Sequence, residues 1–176
     1  MGEEPRRRPL RIAVVGAAAA APGDYEDARA LGAALAEAGA VVLCGGHGGV
    51  MEGVARGAAE AGGLVVGLLR GEDSESANSW ITLPLATGLG DARNALIVRA
   101  AEAVVAVGGS WGTLSEIALA SKMGLAVGTL GRPPATGLGL PALSDPADAA
   151  RWALDRARER RGETSRAGSG TYRREE

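Results

Sequence analysis

Two glycine-rich segments have the residue types and spacing that could hold a phosphate group. They are residues 45–49 (GGHGG) and residues 108–113 (GGSWGT), and Gly16 forms a third, shorter glycine turn. Each follows a short apolar run and precedes a segment of helix length. Glycine lets backbone N–H groups approach an anion closely at a helix start, where the helix dipole adds attraction. The predicted ligand-binding residues are Gly16, Gly45, Gly46, Gly48, Gly49, Met51, Gly108, Gly109, Ser110, Trp111, Gly112 and Thr113.

Several side chains in or beside these turns have more than one interpretation. His47 could point at a ligand or be an ordinary turn residue, and as the single histidine it has no histidine partner for a metal. Trp111 could stack on a base or a pterin, or pack against a neighbouring subunit. Met51 and Cys44 flank the first of the two long turns and are interpreted mainly as core residues. No metal site is predicted.

The elements that must position these turns follow from the hydrophobic pattern. Short apolar runs alternate with amphipathic segments, which is typical of βαβ units around a parallel sheet buried on both faces. Predicted strands cover residues 11–16, 41–45, 64–69, 80–83, 103–107 and 125–129. Predicted helices cover residues 24–38, 49–61, 91–102, 112–123 and 146–160. We predict one α/β domain over residues 10–161, a three-layer, Rossmann-like, doubly wound parallel sheet, with disordered segments at 1–9 and 162–176.

This architecture gives the glycine turns a common location. Parallel α/β sheets bind ligands outside the carboxyl ends of their strands, where the strand order reverses, and all three turns follow predicted strands. The chain nevertheless has no G-x-G-x-x-G after Gly16 and no G-x-x-x-x-G-K-[ST] segment. The pattern therefore predicts a phosphate pocket that is neither the usual dinucleotide site nor a P-loop.

Composition sets the class of protein. With 176 residues and 46% hydrophobic content, the chain can bury a single core. The net charge of −2 and the few aromatic residues argue against nucleic acid as a partner. The lone cysteine, Cys44, excludes an internal disulfide, and no apolar run approaches the length of a membrane helix. We expect a cytoplasmic protein without a membrane partner.

Three segments together resemble the LOG-like superfamily: GGHGGVMEGVARGA, then GDARN, then GGSWGTLSE. That superfamily includes nucleoside 5′-monophosphate phosphoribohydrolases and the molybdenum cofactor carrier proteins, and the resemblance covers about residues 10–150. The hydrolase branch has PGGxGTxxE and an arginine-lysine pair. The resemblance implies that the catalytic arginine and glutamate of that branch correspond to Arg93 and Glu116 in this sequence. Val107 replaces the proline, one extra residue precedes Gly112, and Asn94 replaces the lysine, so the chain resembles the carrier branch more.

The resemblance leaves two functions open. One is hydrolysis of the N-glycosidic bond of a nucleoside 5′-monophosphate, in which Glu116, one helical turn beyond Gly112, would stabilise an oxocarbenium-like state and Arg93 would clamp the phosphate. The other is a non-catalytic carrier of molybdopterin or a nucleotide sensor. No cofactor is required in either, although molybdenum cofactor could be bound cargo. The resemblance also implies a homo-oligomer, a dimer or a tetramer.

The candidate residues also have ordinary structural interpretations, and the lysine content argues against a third activity. Glu116 could complement the helix dipole, and Arg93 could pair with Asp91 or Glu52 at the surface. Lysine decarboxylation through pyridoxal phosphate needs a lysine near the phosphate turn. Lys122 is the single lysine and would lie about 15 Å along the helix from Gly112. We therefore exclude that activity.

Overall fold

The computed structural model describes residues 8–163 of the chain. Its strands are β1 (Arg11–Gly16), β2 (Val41–Cys44), β3 (Val65–Leu69), β4 (Leu83–Ala86), β5 (Ala103–Val107), β6 (Ala126–Leu130) and β7 (Ala142–Leu143). Its α-helices are α1 (Pro22–Glu37), α2 (Val50–Glu60), α3 (Asn94–Ala100), α4 (Trp111–Lys122) and α5 (Pro146–Arg160). Short 3-10 helices lie at Ser74–Ser76 and Gly90–Arg93.

All strands of the described part form one parallel sheet in the order β4-β3-β2-β1-β5-β6-β7. The order reverses between β1 and β5, where Gly16 pairs with Val107. Such a reversal leaves a crevice at the carboxyl ends of the two strands, because the connections from them leave in opposite directions. The predicted α/β, Rossmann-like, doubly wound single domain is confirmed.

Both faces of the sheet are covered by helices, which explains the continuous apolar strands. Every residue of β5 is buried, as is every residue of β2. One core lies under α1, α2 and α5 and includes Leu31 and Val54. The other lies under α3 and α4 and includes Ile97 and Ile117. The result is the predicted three-layer arrangement.

Most element boundaries lie within two residues of the prediction, and three elements differ by more. The fourth strand begins at Leu83 and not at Trp80, because Trp80 and Ile81 pack against the core before the chain reaches the sheet edge. Pro84 within it is tolerated because β4 is an edge strand. The predicted helix 91–102 is divided into a 3-10 turn and the shorter α3. The segment predicted as a loop after β6 contains the two-residue strand β7.

The ends of the domain meet at one buried carboxylate. Arg161 donates to Glu102 (Nη2–Oε2 2.8 Å) and to the carbonyl oxygens of Arg8 and Pro9. Arg11 donates its backbone N–H to the same carboxylate. Most of the two segments expected to be disordered lies outside the described residues. No helix between residues 8 and 163 is long and apolar enough to cross a membrane.

Candidate functional site

A cleft of about 800 Å³ opens at the carboxyl ends of β1 and β5. It is lined by Gly16, Ala18, His47, Met51, Arg70, Asp91, Arg93, Asn94, Ser110, Trp111, Gly112, Thr113, Ser115 and Glu116. Eight residues predicted from the sequence are among them: Gly16, Met51, Arg93, Ser110, Trp111, Gly112, Thr113 and Glu116. The cleft therefore gathers residues from β1 through α4 around the point where the strand order reverses.

The first turn of α4 presents open amides to this cleft. The Ser110 N–H donates to the Thr113 hydroxyl at 3.2 Å, which closes a capping interaction at the helix start. The amides of Trp111 and Gly112 have no intrahelical acceptor, because the carbonyls four residues earlier precede the helix. Gly108 and Gly109 precede this turn with positive φ of 54° and 143°. The turn can thus donate two backbone hydrogen bonds to an anion.

The start of α2 is more closed than the start of α4. The Val50 N–H donates to the Ala17 carbonyl at 3.0 Å. Gly49 has φ of 65°, and a Cβ there would lie 2.3 Å from the same carbonyl oxygen. The glycine is needed for the loop after β1 to dock on this helix. One amide of the predicted second anion grip is already used within the protein.

The glycines of residues 45–49 lie beside the cleft and are not among its lining residues. A Cβ on Gly45 would lie 2.6 Å from both terminal nitrogens of Arg93 and 2.5 Å from the Met51 sulfur. A Cβ on Gly46 would lie 2.5 Å from the Leu69 side chain. These glycines make room for packing, and Gly45 makes room for the guanidinium of Arg93.

Arg93 and Glu116 form a buried pair at the floor of the cleft. Arg93 is 5% exposed and Glu116 is 6% exposed. The Arg93 Nη1 lies 3.6 Å from the Glu116 Oε1, and the buried Arg93 Nε has no hydrogen-bond partner. The alternative of a surface ion pair between Arg93 and Asp91 or Glu52 is wrong, because the 3-10 turn directs Arg93 inward. Asp91 pairs with Arg70 at 2.9 Å on the exposed rim.

Burial sets the protonation of this pair. Removal from water raises the pKa of Glu116 to about 7, and the attraction of Arg93 only partly opposes the rise. Burial also lowers the pKa of Arg93, and Glu116 opposes that shift. The carboxyl therefore exchanges its proton near neutral pH, where a general acid or base works best.

His47 lines the cleft, and one of its ring nitrogens has no hydrogen-bond partner. Its carbonyl accepts from the Asn78 Nδ2 at 2.7 Å, which fixes the backbone of the turn. Its buried Nε2 has no hydrogen-bond partner. Burial, followed by the charges of Arg93 and Arg70, lowers the pKa of the imidazole. The lowered pKa favours the neutral form of the ring, and its Nε2 is enclosed by the protein without a partner.

Asn94 and Ser115 hold the first turn of α4, a role that the sequence did not reveal. The Asn94 Nδ2 donates to the Ser115 hydroxyl at 2.9 Å, and that hydroxyl donates to the Gly112 carbonyl at 2.7 Å. Asn94, which stands where the hydrolase branch has its lysine, thus links α3 to the first turn of α4. Its place beside Arg93 in the GDARN segment was the available signal.

Arg70 also lines the cleft and was not predicted from the sequence, whereas the single lysine lies outside the cleft. Arg70 follows the end of β3, a position from which a side chain reaches the carboxyl edge of the sheet. Lys122 is exposed in the last turn of α4 and does not line the cleft. Between residues 8 and 163, no cluster of three His, Cys, Asp or Glu side chains could hold a metal ion.

The chain is similar to several known proteins. The sequence model of the SLOG cluster4 family matches residues 9–149. An uncharacterized protein of Archaeoglobus fulgidus is 39% identical over 145 residues, which cover 82% of this chain and 95% of that one.

Two solved structures are similar over nearly their whole length. The molybdenum cofactor binding protein of Rippkaea orientalis has 32% identity and a TM-score of 0.78, covering 84% of this chain and 97% of that one. The molybdenum cofactor carrier protein of Chlamydomonas reinhardtii has 33% identity and a TM-score of 0.76, covering 85% and 98%.

A more distant structure corrects one inference from composition. DNA processing protein A of Helicobacter pylori shares the fold, with 19% identity and a TM-score of 0.64 over 84% of this chain and 81% of that one. It is described as binding single-stranded DNA. The exclusion of nucleic acid on net charge is therefore wrong, because whole-chain charge averages over the surface while binding depends on a local patch.

Proposed function

Because this chain belongs to the SLOG cluster4 family and to the carrier branch of the LOG-like superfamily, we propose that it binds a phosphorylated small molecule in the cleft. The observation that carries this proposal is the open first turn of α4, which shares the cleft with the buried Arg93. Two free amides and the helix dipole suit a phosphate. Arg93, which lines the same cleft, supplies positive charge next to this turn.

The cargo that we propose is molybdenum cofactor, held without chemical change. Proteins described as binding or carrying this cofactor are 32% and 33% identical to the chain over nearly their full length. The residues present fit such a cargo. The amides of Trp111 and Gly112 would hold its phosphate, and the cleft that would receive the pterin is lined by the polar side chains of Arg93 and His47.

Native mass spectrometry of the protein purified from its host tests this cargo. We expect a bound pterin phosphate, and we expect molybdopterin to raise the melting temperature of the stripped protein. A protein that carries no pterin and is not stabilised by molybdopterin would contradict the carrier assignment.

A matched pair of variants tests the phosphate position itself. W111P and W111A both lose the indole, but only proline removes the first amide of α4. Proline is tolerated at the first helical position, and the extended Ser110 (φ −137°, ψ −169°) suits a residue before proline. W111P should bind ribose 5-phosphate about 10- to 100-fold more weakly than W111A, the loss expected for a charge-assisted hydrogen bond. Equal affinities would place the phosphate elsewhere.

A second candidate function, phosphoribohydrolase activity, is favoured by the Arg93–Glu116 pair. In this reaction water attacks the anomeric carbon of a nucleoside 5′-monophosphate, and the C–N bond electrons leave with the base. Glu116, with a pKa of about 7, would accept the proton of that water and pass it to the departing base. Arg93 would hold the phosphate or a sugar hydroxyl.

Product analysis separates the two functions. Incubation with AMP and related monophosphates should release free base and ribose 5-phosphate if the chain is a hydrolase. E116Q should then abolish turnover while ligand binding remains. No release from any monophosphate, while an active relative hydrolyses them in parallel, would leave the carrier function alone.

A further inference from the structure

Trp111 is the most exposed large apolar side chain of the described residues, at 86%. Exposed tryptophan leaves a large apolar surface in water, which is unfavourable unless something covers it. Trp111 lines the same cleft as Arg93 and Glu116, and its amide is the one proposed to hold phosphate. Its position is therefore tied to the ligand site and not to a remote surface.

The other two tryptophans differ in that their rings have protein neighbours. Arg56 lies over the ring of Trp80 at 5.3 Å from its centre. The ring of Trp152 lies against Gly128, where a Cβ would be 3.0 Å from the ring. Only Trp111 therefore keeps its flat surface free for a partner from outside the described chain.

The backbone that carries Trp111 is held firmly on both sides. Ser110 is fixed by its bond to the Thr113 hydroxyl. Gly112 is fixed by the Ser115 hydroxyl, which Asn94 orients in turn. A ring on an anchored turn loses little backbone entropy when it covers a ligand, which suits a stacking surface.

We propose that Trp111 is a stacking platform that selects phosphorylated ligands with a planar aromatic heterocycle over simple sugar phosphates. This inference rests on the proposed binding of phosphate by α4. With phosphate on the amides of Trp111 and Gly112, a ligand ring that lies over the indole covers it, while Arg93 and Glu116 face the part of the ligand deeper in the cleft. The ligand class is a purine or pterin monophosphate.

Calorimetric titration of wild type, W111A, W111F and L96A tests the platform. The probes are AMP and a hydroxymethylpterin monophosphate, which carry a ring, and ribose 5-phosphate, which does not; chromatography after each titration verifies that AMP is intact. For whichever ring-bearing probe wild type binds, the affinity of W111A should be roughly 5- to 100-fold lower, which is the usual effect of losing one base-stacking aromatic side chain. Ribose 5-phosphate binding should be unchanged, because alanine retains the amide. W111F should keep most of the affinity, and L96A, which removes an exposed leucine outside the cleft, should match wild type.

Three results would overturn the platform. Unchanged affinity of W111A for ring-bearing probes would show that the indole does not touch the ligand. An equal loss for ribose 5-phosphate would show that the substitution disturbs the turn and not a stacked ring. Dissociation of a wild-type oligomer in W111A, seen by sedimentation and without any change in affinity, would place the indole in a subunit contact. If wild type binds none of the probes, the proposed function fails together with the platform, so the two failures are distinguishable.

Discussion

At the scale of single residues, burial changes the acid–base properties of Glu116. The side chain is 6% exposed, and burial raises its pKa to about 7 despite the neighbouring guanidinium. Desolvation outweighs the attraction because the two charged groups are 3.6 Å apart and do not share a close bidentate contact. A carboxyl of this kind couples the stability of the protein to pH.

The first prediction concerns that coupling. Because the pKa of Glu116 in the folded protein lies above the unfolded value of 4.5, the folded state binds the proton more tightly. The contribution is fully present below about pH 4.5 and is lost as pH rises through about 7. Relative to E116Q, wild type should lose on the order of 2 to 3 kcal/mol of unfolding free energy between pH 5 and pH 8. Urea titrations at both pH values measure this, and parallel pH profiles of the two proteins would contradict it.

The second prediction separates charge from packing in the pair. R93M leaves Glu116 buried without its cation, so it should destabilise the protein more at pH 8 than at pH 5.5, where the carboxyl is protonated. R93M/E116L removes both charges and should recover about 1 to 4 kcal/mol relative to R93M at pH 8. Thermal unfolding of both variants measures the recovery. A double variant no more stable than R93M would mean that shape, and not charge, dominates the site.

At the scale of elements, the two helix starts that face the strand crossover are unequal. α4 keeps the amides of Trp111 and Gly112 open, while α2 gives its Val50 amide to the loop after β1. Gly49 permits that contact through its positive φ and its lack of a Cβ. The turn of residues 45–49 therefore docks the loop after β1, while the turn of residues 108–113 leaves its first amides open to the cleft.

The third prediction tests this difference with two neighbouring glycines. G49A forces a Cβ to within 2.3 Å of the Ala17 carbonyl at φ of 65°, and should cost about 2 to 4 kcal/mol. G48A meets nothing closer than 3.5 Å and should stay within about 1 kcal/mol of wild type. Chemical denaturation distinguishes the two. Equal effects would contradict the docking role of Gly49.

At the scale of the whole molecule, Glu102 joins the beginning and the end of the domain. It lies at the amino end of β5 and accepts from Arg11 and Arg161, while Arg161 also reaches the carbonyl oxygens of Arg8 and Pro9. This cluster lies at the amino ends of the strands, whereas the cleft opens at their carboxyl ends. It stabilises the domain without touching the ligand site.

The fourth prediction therefore separates stability from binding. R161A should lower the unfolding free energy by about 1.5 to 3 kcal/mol, since it removes charged hydrogen bonds to a buried carboxylate. R158A removes only an exposed pair with Asp155 and should change it by less than about 0.5 kcal/mol. Ligand affinity should be the same in both. A loss of ligand affinity in R161A but not in R158A would show that the cluster at the amino ends of the strands is coupled to the cleft at their carboxyl ends.

The sequence by itself determined the fold class, the family and most of the elements, because strand and helix patterns and glycine turns are set by short-range sterics and periodicity. It also named eight of the residues that line the cleft. Only the tertiary structure decided that α2 gives its first amide to the loop after β1, that Arg93 turns inward to Glu116 and not to Asp91, and that the edge strand begins at Leu83. These depend on atoms that arrive from distant parts of the chain: a carbonyl at residue 17, the space above Gly45, and the burial that moves a carboxyl pKa to about 7.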